Sequence, residues 1–245
     1  MDRPRCGPLA AWATSWLAGG GPADDVIEAV TGSDAAHVIV GIESDPVPLS
    51  EILIRWRRGG GPVRLVLPAP GDLRGVPGPQ PFRAAATDAG EAVFGAGIGL
   101  VPSITDFAPS SAPTSVTWAA HAVTPAPPDH LDVADTQYEL TTAIRQCADE
   151  LTAADVSGSR DDVLAALSGA RRAGEQVNLP PGFPARAVAL VAQAERMQAI
   201  LDLALVDPVG GAVDQRGISA RAAGLRPLEL AVRRARLAGY NALAR

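Results

Sequence analysis

The sequence contains no lysine: all 21 of its basic residues are arginine. Several kinds of chemistry depend on a lysine side chain, including Schiff-base formation, pyridoxal anchoring, phosphate binding by a P-loop lysine and proton abstraction by a lysine base. The sequence excludes these classes of enzyme. A GC-rich genome, whose codons favour arginine, alanine, glycine and proline, is the simplest explanation of this composition.

Cysteines, aromatic residues and long apolar runs are also scarce. Cys6 and Cys147 are too few and too far apart to form a disulfide framework, and Cys147 falls on the apolar side of a predicted helix. Aromatic residues make up only 4% of the chain, so small aliphatic side chains must fill most of the core. No apolar run approaches the length of about 18 residues that a membrane span needs. We therefore expect a cytoplasmic protein with no membrane association.

Motifs that would identify an enzyme are missing as well. The sequence has no GxSxG motif, which removes the support for a serine hydrolase of that type. Asp129, His130 and Asp132 superficially resemble a metal-binding cluster, but they lie in a proline-rich linker without a wider set of ligands. We predict no metal and no cofactor, and the sequence favours a protein that is not an enzyme without deciding the question.

Residues 1–128 are predicted to form an α/β domain. The apolar runs at 38–42 and 63–67 are typical of buried strands, and the spacing of Ile52, Leu53 and Trp56 predicts a helix between them. A strand, a helix and a strand joined by short loops predict a βαβ unit, whose two strands are parallel with a right-handed crossover.

Further strands in this domain are predicted at residues 91–94, 98–104 and 116–123. The first two are expected to pair across the glycine-rich turn at 95–97, which gives a mixed, partly parallel sheet of about five strands. Residues 82–89 are compatible either with a short helix or with the start of a hairpin turn, and periodicity does not separate the two.

Residues 129–245 are predicted to form an all-α helical bundle. In the helix expected at 133–154, apolar residues recur at alternating intervals of four and three, which is typical of a buried seam: Leu140, Ile144, Cys147 and Leu151. Further helices are predicted at 161–173 and 184–206. Two more are predicted at about 218–223 and 227–243, separated at Pro227 because proline interrupts a helix.

The C-terminal segment also carries most of the unbalanced positive charge. The chain has a net charge of −6, but residues 216–245 contain seven arginines and only one acidic residue. A short helix, a turn and an arginine-rich helix are compatible with a helix-turn-helix motif. Because Pro227 and Ser219 fit that motif poorly, nucleic-acid binding is unlikely, and we expect these arginines to contact the acidic surface of residues 131–215 instead. The arginines concerned are Arg226, Arg233, Arg234 and Arg236.

The most distinctive segment is the loop at residues 68–81, PAPGDLRGVPGPQP, which follows a predicted strand. Ligands in open α/β sheets bind beyond the carboxyl ends of strands, so this loop is the candidate binding site. It is also compatible with a purely structural loop in which Asp72 and Arg74 bind each other. The candidate ligand-binding residues are Asp72, Arg74, Gly75, Gly78 and His121.

The order of elements resembles a known group of proteins. LPAPGDLRGVPGP follows a strand, and ERMQAILDLALVDPVGGAV leads to LRPLELAVRRA. In these respects the chain resembles conserved proteins of unknown function from high-GC actinobacteria, and the resemblance implies no activity. We expect a non-enzymatic interaction or regulatory protein that binds a protein partner, or a second copy of itself, through the helical bundle. The alternatives are a protein or enzyme that binds a small anionic ligand at the loop and, third, a nucleic-acid-binding protein.

Overall fold

The computed structural model describes residues 5–105, 114–124, 127, 129–153, 171–206 and 215–244. These residues fall into two units. The α/β unit contains the described residues of Asp2–His130, Asn178–Phe183 and Tyr240–Arg245, and the helical unit contains those of Leu131–Val177 and Pro184–Gly239. The predicted fold class is confirmed: a mixed, partly parallel sheet with helices, followed by a helical region.

The described residues of the α/β unit form four helices and six strands. The helices are α1 (Cys6–Leu17), α2 (Ala23–Thr31), α3 (Leu49–Gly59) and α4 (Gln80–Ala89). The strands are β1 (Ala36–Val40), β2 (Val47–Pro48), β3 (Arg64–Val66), β4 (Ala92–Gly95), β5 (Ile98–Thr105) and β6 (Ser115–Ala122). Residues 82–89, which sequence patterns left undecided, are helical, and Gly90 ends α4 in a left-handed conformation.

The six strands form one sheet in the order β2-β1-β6-β5-β4-β3. The predicted hairpin is confirmed, because β4 and β5 pair antiparallel across Ala96 and Gly97. The predicted βαβ pairing is wrong. β1 pairs in parallel with β6, and three successive antiparallel pairings then lead to β3, which runs opposite to β1 at the far edge. β3 is joined to β4 by residues 67–91, which contain the 68–81 loop and α4, and it pairs with this next strand along the chain rather than with β1, as consecutive strands commonly do.

The face of the sheet under α4 holds an apolar cluster. It contains residues from β3, β4, β5, the 68–81 loop and α4, together with the residue that follows β6: Val66, Val76, Phe82, Ala86, Ala92, Val101 and Val123. On the opposite face, Leu65, Leu100 and Trp118 are at most 2% exposed, so a second layer covers them. Helix α1 packs along β3 and β4, and α3 packs along β1 and β2.

The outer edge of β3 is closed by side chains rather than by another strand. The Thr14 hydroxyl donates to the Val63 carbonyl (2.7 Å) and accepts from the Val63 N–H (3.0 Å). Two residues further on, the side-chain amide of Asn241 bonds to both main-chain groups of Leu65. Tyr240 packs against Gly7, where an added Cβ would lie 2.6 Å from the tyrosine ring. The residues after position 239 are therefore an integral part of the α/β unit.

Three long helices dominate the described part of the helical unit: α5 (Val133–Ala153), α6 (Ala185–Val206) and α7 (Gln215–Tyr240). The predicted break at Pro227 is wrong, since α7 continues through it. A buried stripe of Leu225, Leu228 and Ala231 runs past the proline. Burial of this stripe stabilises the continuous helix against the hydrogen bond that Pro227 cannot make.

The buried seam of α5 differs in one residue from the predicted one. Leu140 and Cys147 are buried as expected, but Ile144 is only half-buried, and Ala143 takes its place in the seam. The side chain of Leu151 and most of the helix predicted at 161–173 lie outside the described residues, although residues 171–175 are helical. Gly239 of α7 lies so close to Val191 of α6 that a Cβ would clash, which agrees with close packing of small side chains.

Candidate functional site

In the 68–81 loop, Asp72 and Arg74 bind each other. The guanidinium donates to both carboxylate oxygens, from Nε at 2.9 Å and from a terminal nitrogen at 2.8 Å. The Arg74 main-chain N–H also donates to Asp72 Oδ1 at 3.2 Å. Hydrogen bonding to Asp72 and the charges of Asp72 and Asp129 raise the pKa of Arg74. This ion pair between Asp72 and Arg74 holds the loop in its conformation.

The remaining predicted ligand residues divide between two places. Gly75, with a φ of 72°, lies beside Asp129, so the loop contacts the proline-rich segment that precedes α5. The carbonyl of Gly78 accepts a hydrogen bond from the N–H of Thr124. His121 is on β6, where its ring and the Phe82 ring pack in a T-shaped arrangement with their centroids 5.8 Å apart. Asp72, Arg74, Gly75 and Gly78 therefore belong to the loop and its contacts, whereas His121 packs against Phe82 of α4.

Two buried side-chain nitrogens have no hydrogen-bond partner in the described part of the chain. They are Nε of Arg83, which follows Phe82 in α4, and Nε2 of His121. Sequence patterns pointed to His121 but not to Arg83, because an arginine in a short helix carries no distinguishing signal before the sheet beneath it is known.

Arg234 and Arg236 bind carboxylates of the helical unit. Arg234 Nε donates to Glu139 of α5 at 2.9 Å, in a partly exposed pair. Arg236 Nε donates to Glu195 of α6, also at 2.9 Å, and the side chains of this second pair are only 15% and 7% exposed. These pairs agree with the expectation that the arginine-rich segment contacts acidic residues within the bundle. Arg226 is exposed and Arg233 is half-buried.

A buried polar network joins the start of α1 to the centre of the sheet. Arg5 donates two hydrogen bonds of 3.0 Å to the carboxylate of Asp34. The same carboxylate lies 3.0 Å from Nε2 of His37, and the Trp118 indole N–H donates to Nδ1 of that ring at 3.2 Å. Because Nδ1 accepts this hydrogen bond, a neutral His37 carries its proton on Nε2 and donates it to Asp34.

The network is structural in character, since His37 is 8% exposed and both of its ring nitrogens are engaged. Burial alone would raise the pKa of Asp34, but hydrogen bonds and charges from Arg5 and His37 outweigh it and lower the pKa. No local sequence pattern indicates that His37 belongs to such a network. Trp118 lies 81 positions away, so no local pattern connects the two.

The outer surface of α5 carries the most exposed large apolar side chain among those described. Tyr138 is 75% exposed, well above Ile54, Leu73 and Leu230 at 43% each. Asp135 and Arg145 are exposed on the same helix, three residues before and seven residues after the tyrosine. Residues three and seven positions apart lie on the same side of an α-helix, so Asp135, Tyr138 and Arg145 form one continuous strip.

Comparison with known families covers nearly the whole chain. Residues 6–132 match the family described as Rv1486c-like protein, N-terminal domain, and residues 134–237 match the Rv1486c-like protein, C-terminal domain. The chain belongs to the Rv1486c-like protein family. The resemblance to actinobacterial proteins of unknown function is therefore confirmed.

Members of the Rv1486c-like family from three mycobacteria are similar to this chain. An uncharacterized protein of Mycobacterium tuberculosis (strain H37Rv) is 29% identical, and one of Mycobacterium leprae is 27% identical. A third, from Mycobacterium avium, is 30% identical. Each similarity covers 96% of this chain and 95% of the relative. No solved structure matches the chain significantly.

Within the described ranges, no group of three or more His, Cys, Asp or Glu side chains is placed to hold a metal ion. Among the helices that the structure describes, none has the length and apolarity to cross a membrane.

Proposed function

We propose that this member of the Rv1486c-like family is a non-enzymatic interaction protein that pairs with a second copy of itself through the outer surface of α5. The observation that carries the proposal is the 75% exposure of Tyr138. Tyrosine is enriched in protein–protein interfaces, where its ring contributes large contact area at a low cost in side-chain entropy. An exposed tyrosine on a regular helix is an energetically suitable centre for such a contact.

The charges around Tyr138 favour a second copy as the partner. When two α5 helices pair antiparallel about a two-fold axis near residue 140, Asp135 of one copy lies opposite Arg145 of the other, and the reverse contact forms by symmetry. Tyr138 then packs against Thr142 of the other copy. Both charged side chains are exposed, and the described residues offer neither of them an ion-pair partner within the chain. The same strip is therefore complementary to itself.

The other candidate functions have less support from the contacts. Asp72 occupies the guanidinium of Arg74, and Glu139 and Glu195 occupy those of Arg234 and Arg236. A nucleic-acid phosphate would have to displace these carboxylates. The α5 strip, by contrast, is exposed and needs no rearrangement to bind.

Sedimentation velocity over a range of about 5–500 µM protein tests the proposal, because an interface the size of one helix face belongs to the weak class. We expect concentration-dependent dimerisation that Tyr138→Ser weakens at least about tenfold and Tyr138→Phe preserves. Asp135→Arg should weaken it too, and the double variant with Arg145→Asp should restore it. Leu73→Ser, which removes an exposed apolar side chain from the α/β unit, is the matched control.

Two results would contradict the proposal. The first is a protein that stays monomeric over the whole concentration range. The second is dimerisation that Leu73→Ser weakens as much as Tyr138→Ser, because the contact would then not be specific to α5.

A further inference from the structure

The Nε atom of Arg83 and the Nε2 atom of His121 stand apart from the other polar atoms of the described chain. Both are buried, and neither has a hydrogen-bond partner. Buried polar groups in folded proteins nearly always have such a partner, and each exception needs an explanation. A ligand bound by the two nitrogens is one explanation, and a binding experiment can test it.

Phe82 is adjacent to both residues, to Arg83 in sequence and to His121 in space. Arg83 follows it directly in α4, and the His121 and Phe82 rings pack in a T-shaped arrangement. Phe82 is fixed in place by the sheet, because it fills the space above Gly99, where a Cβ would lie 2.5 Å from the phenylalanine ring. Gly99 is the register partner of His121 on the neighbouring strand. His121 therefore lies beside a rigid aromatic ring, and Arg83 is the residue that follows this ring in α4.

One row of this largely apolar face carries a positively charged residue, Arg64. Cross-strand pairs lie on the same face, so Arg64, Phe94, Gly99 and His121 form one row across β3, β4, β5 and β6. Arg64 is half-buried, and its burial lowers the pKa of its guanidinium. The row contains no carboxylate. An anion bound in this row would therefore meet no negatively charged residue of the row.

We propose that Arg83 and His121 form a binding site for a small oxyanion, a carboxylate or a phosphate, beside Phe82. The Nε of an arginine is always a donor, and Nε2 of a histidine donates in the tautomer or charge state that protonates it. Two fixed donors match the oxygens of such an anion. The site lies in the α/β unit, so it is independent of the pairing through α5.

Thermal unfolding in sodium phosphate and in sodium acetate, at constant ionic strength and pH 7, tests the site. A ligand that binds only the folded protein raises its melting temperature, and we expect a rise of about 2–4 °C at saturation with at least one of the two anions. Arg83→Met and His121→Leu should each abolish that rise. Without added anion, both variants should melt no lower than the wild-type protein, because each removes an unsatisfied buried nitrogen.

Arg58→Met is the control, since it removes an exposed arginine from α3 and should leave the anion effect intact. A second measurement follows the Nε2 resonance of His121 by nuclear magnetic resonance, which should shift on addition of the same anion. If neither anion stabilises the wild-type protein, or if the rise survives in Arg83→Met and His121→Leu, the site does not exist. Phosphate alone or acetate alone would define which oxyanion it takes.

Discussion

The side-chain amide of Asn241 bonds to Leu65 as a neighbouring β-strand would. The Leu65 N–H donates to Oδ1 of Asn241 at 2.8 Å, and Nδ2 of Asn241 donates to the Leu65 carbonyl at 3.0 Å. Both main-chain groups of Leu65 face away from β4, towards the open edge of the sheet. One side chain thus closes an edge that would otherwise be free to pair with another chain.

We expect Asn241→Leu to destabilise the α/β unit by about 1–3 kcal/mol, because it removes two partly buried hydrogen bonds. Asn241→Asp should also destabilise it, since a carboxylate oxygen would face the Leu65 carbonyl in place of a donor. Urea unfolding followed by tryptophan fluorescence measures both effects. Gln80→Leu, which replaces an exposed amide of the same unit, should have little effect. An Asn241→Leu variant as stable as that control would show that the cap contributes nothing.

The lowered pKa of Asp34 predicts a specific dependence of stability on pH. The carboxylate stabilises the folded protein fully above its pKa in the unfolded chain, about 3.9. As the pH falls below that value and through the lower pKa of the folded state, this contribution is lost. We expect Asp34→Asn to be less stable than the wild-type protein at pH 7 and to lose less stability between pH 5 and acidic conditions. Urea unfolding at a series of pH values gives the free energy of unfolding as a function of pH for both proteins. If it changed equally with pH in both, Asp34 would not be the carboxylate responsible.

The two ion pairs of α7 should differ in energetic importance. Arg236→Met removes a partner from Glu195, whose side chain is 7% exposed, and should cost about 3 kcal/mol. Arg234→Met breaks a pair in which Glu139 is 45% exposed, and should cost less than about 1 kcal/mol. Urea unfolding followed by the helical circular dichroism signal compares the two matched variants. Equal losses would mean that burial does not control the strength of these pairs.

In the 68–81 loop, Arg74→Ala should cost up to about 1 kcal/mol, because it breaks a bidentate but largely exposed ion pair. Asp72→Ala should cost more, since Oδ1 of Asp72 also accepts the Arg74 main-chain N–H. Differential scanning calorimetry measures the order of the two effects. An Arg74→Ala variant that melts at or above the wild-type temperature would indicate an arginine kept for a ligand rather than for the loop.

The backbone of the turn between β4 and β5 is strained at Ala96, and a glycine at this position would relieve the strain. Ala96 has a φ of 46°, a left-handed conformation that favours glycine. We expect Ala96→Gly to stabilise the protein by about 0.5 kcal/mol, the relief of strain outweighing the greater freedom of glycine in the unfolded chain. Ala84→Gly, in the exposed part of α4, should instead destabilise it by about 1 kcal/mol. Both changes are measured by thermal unfolding, and a loss of stability in both would contradict the interpretation of the turn.

Sequence patterns identified the parts of the fold that depend on neighbouring residues. The helix containing Ile52 and Trp56 and the hairpin turn at Ala96 and Gly97 are visible as local periodicity and glycine placement. The position of β3 at the far edge of the sheet was not predictable in this way, because strand order depends on distant pairings. The continuity of α7 through Pro227 likewise depends on burial of Leu225 and Leu228.

The candidate sites show the same division. Asp72 and Arg74 are two residues apart, so their ion pair was one of the predicted alternatives. His121 was recognised as a polar residue on a strand, but its unsatisfied nitrogen becomes apparent only once Phe82 and Arg83 lie above the sheet. The network around His37 depends on Trp118 and Arg5, which are distant in the chain. Contacts of that range leave no local signature.

The packing of Tyr240 on Gly7 has a consequence for how the protein is made. At about 5–20 residues per second, the ribosome needs roughly 10–50 s to deliver Tyr240 and Asn241 after it has released the start of α1. During that interval the nascent α/β unit lacks the hydrogen bonds of Asn241 to Leu65 and the packing of Tyr240 against Gly7. The unit that begins to fold first is therefore the last to be completed, and in the meantime it must be kept from pairing with other chains.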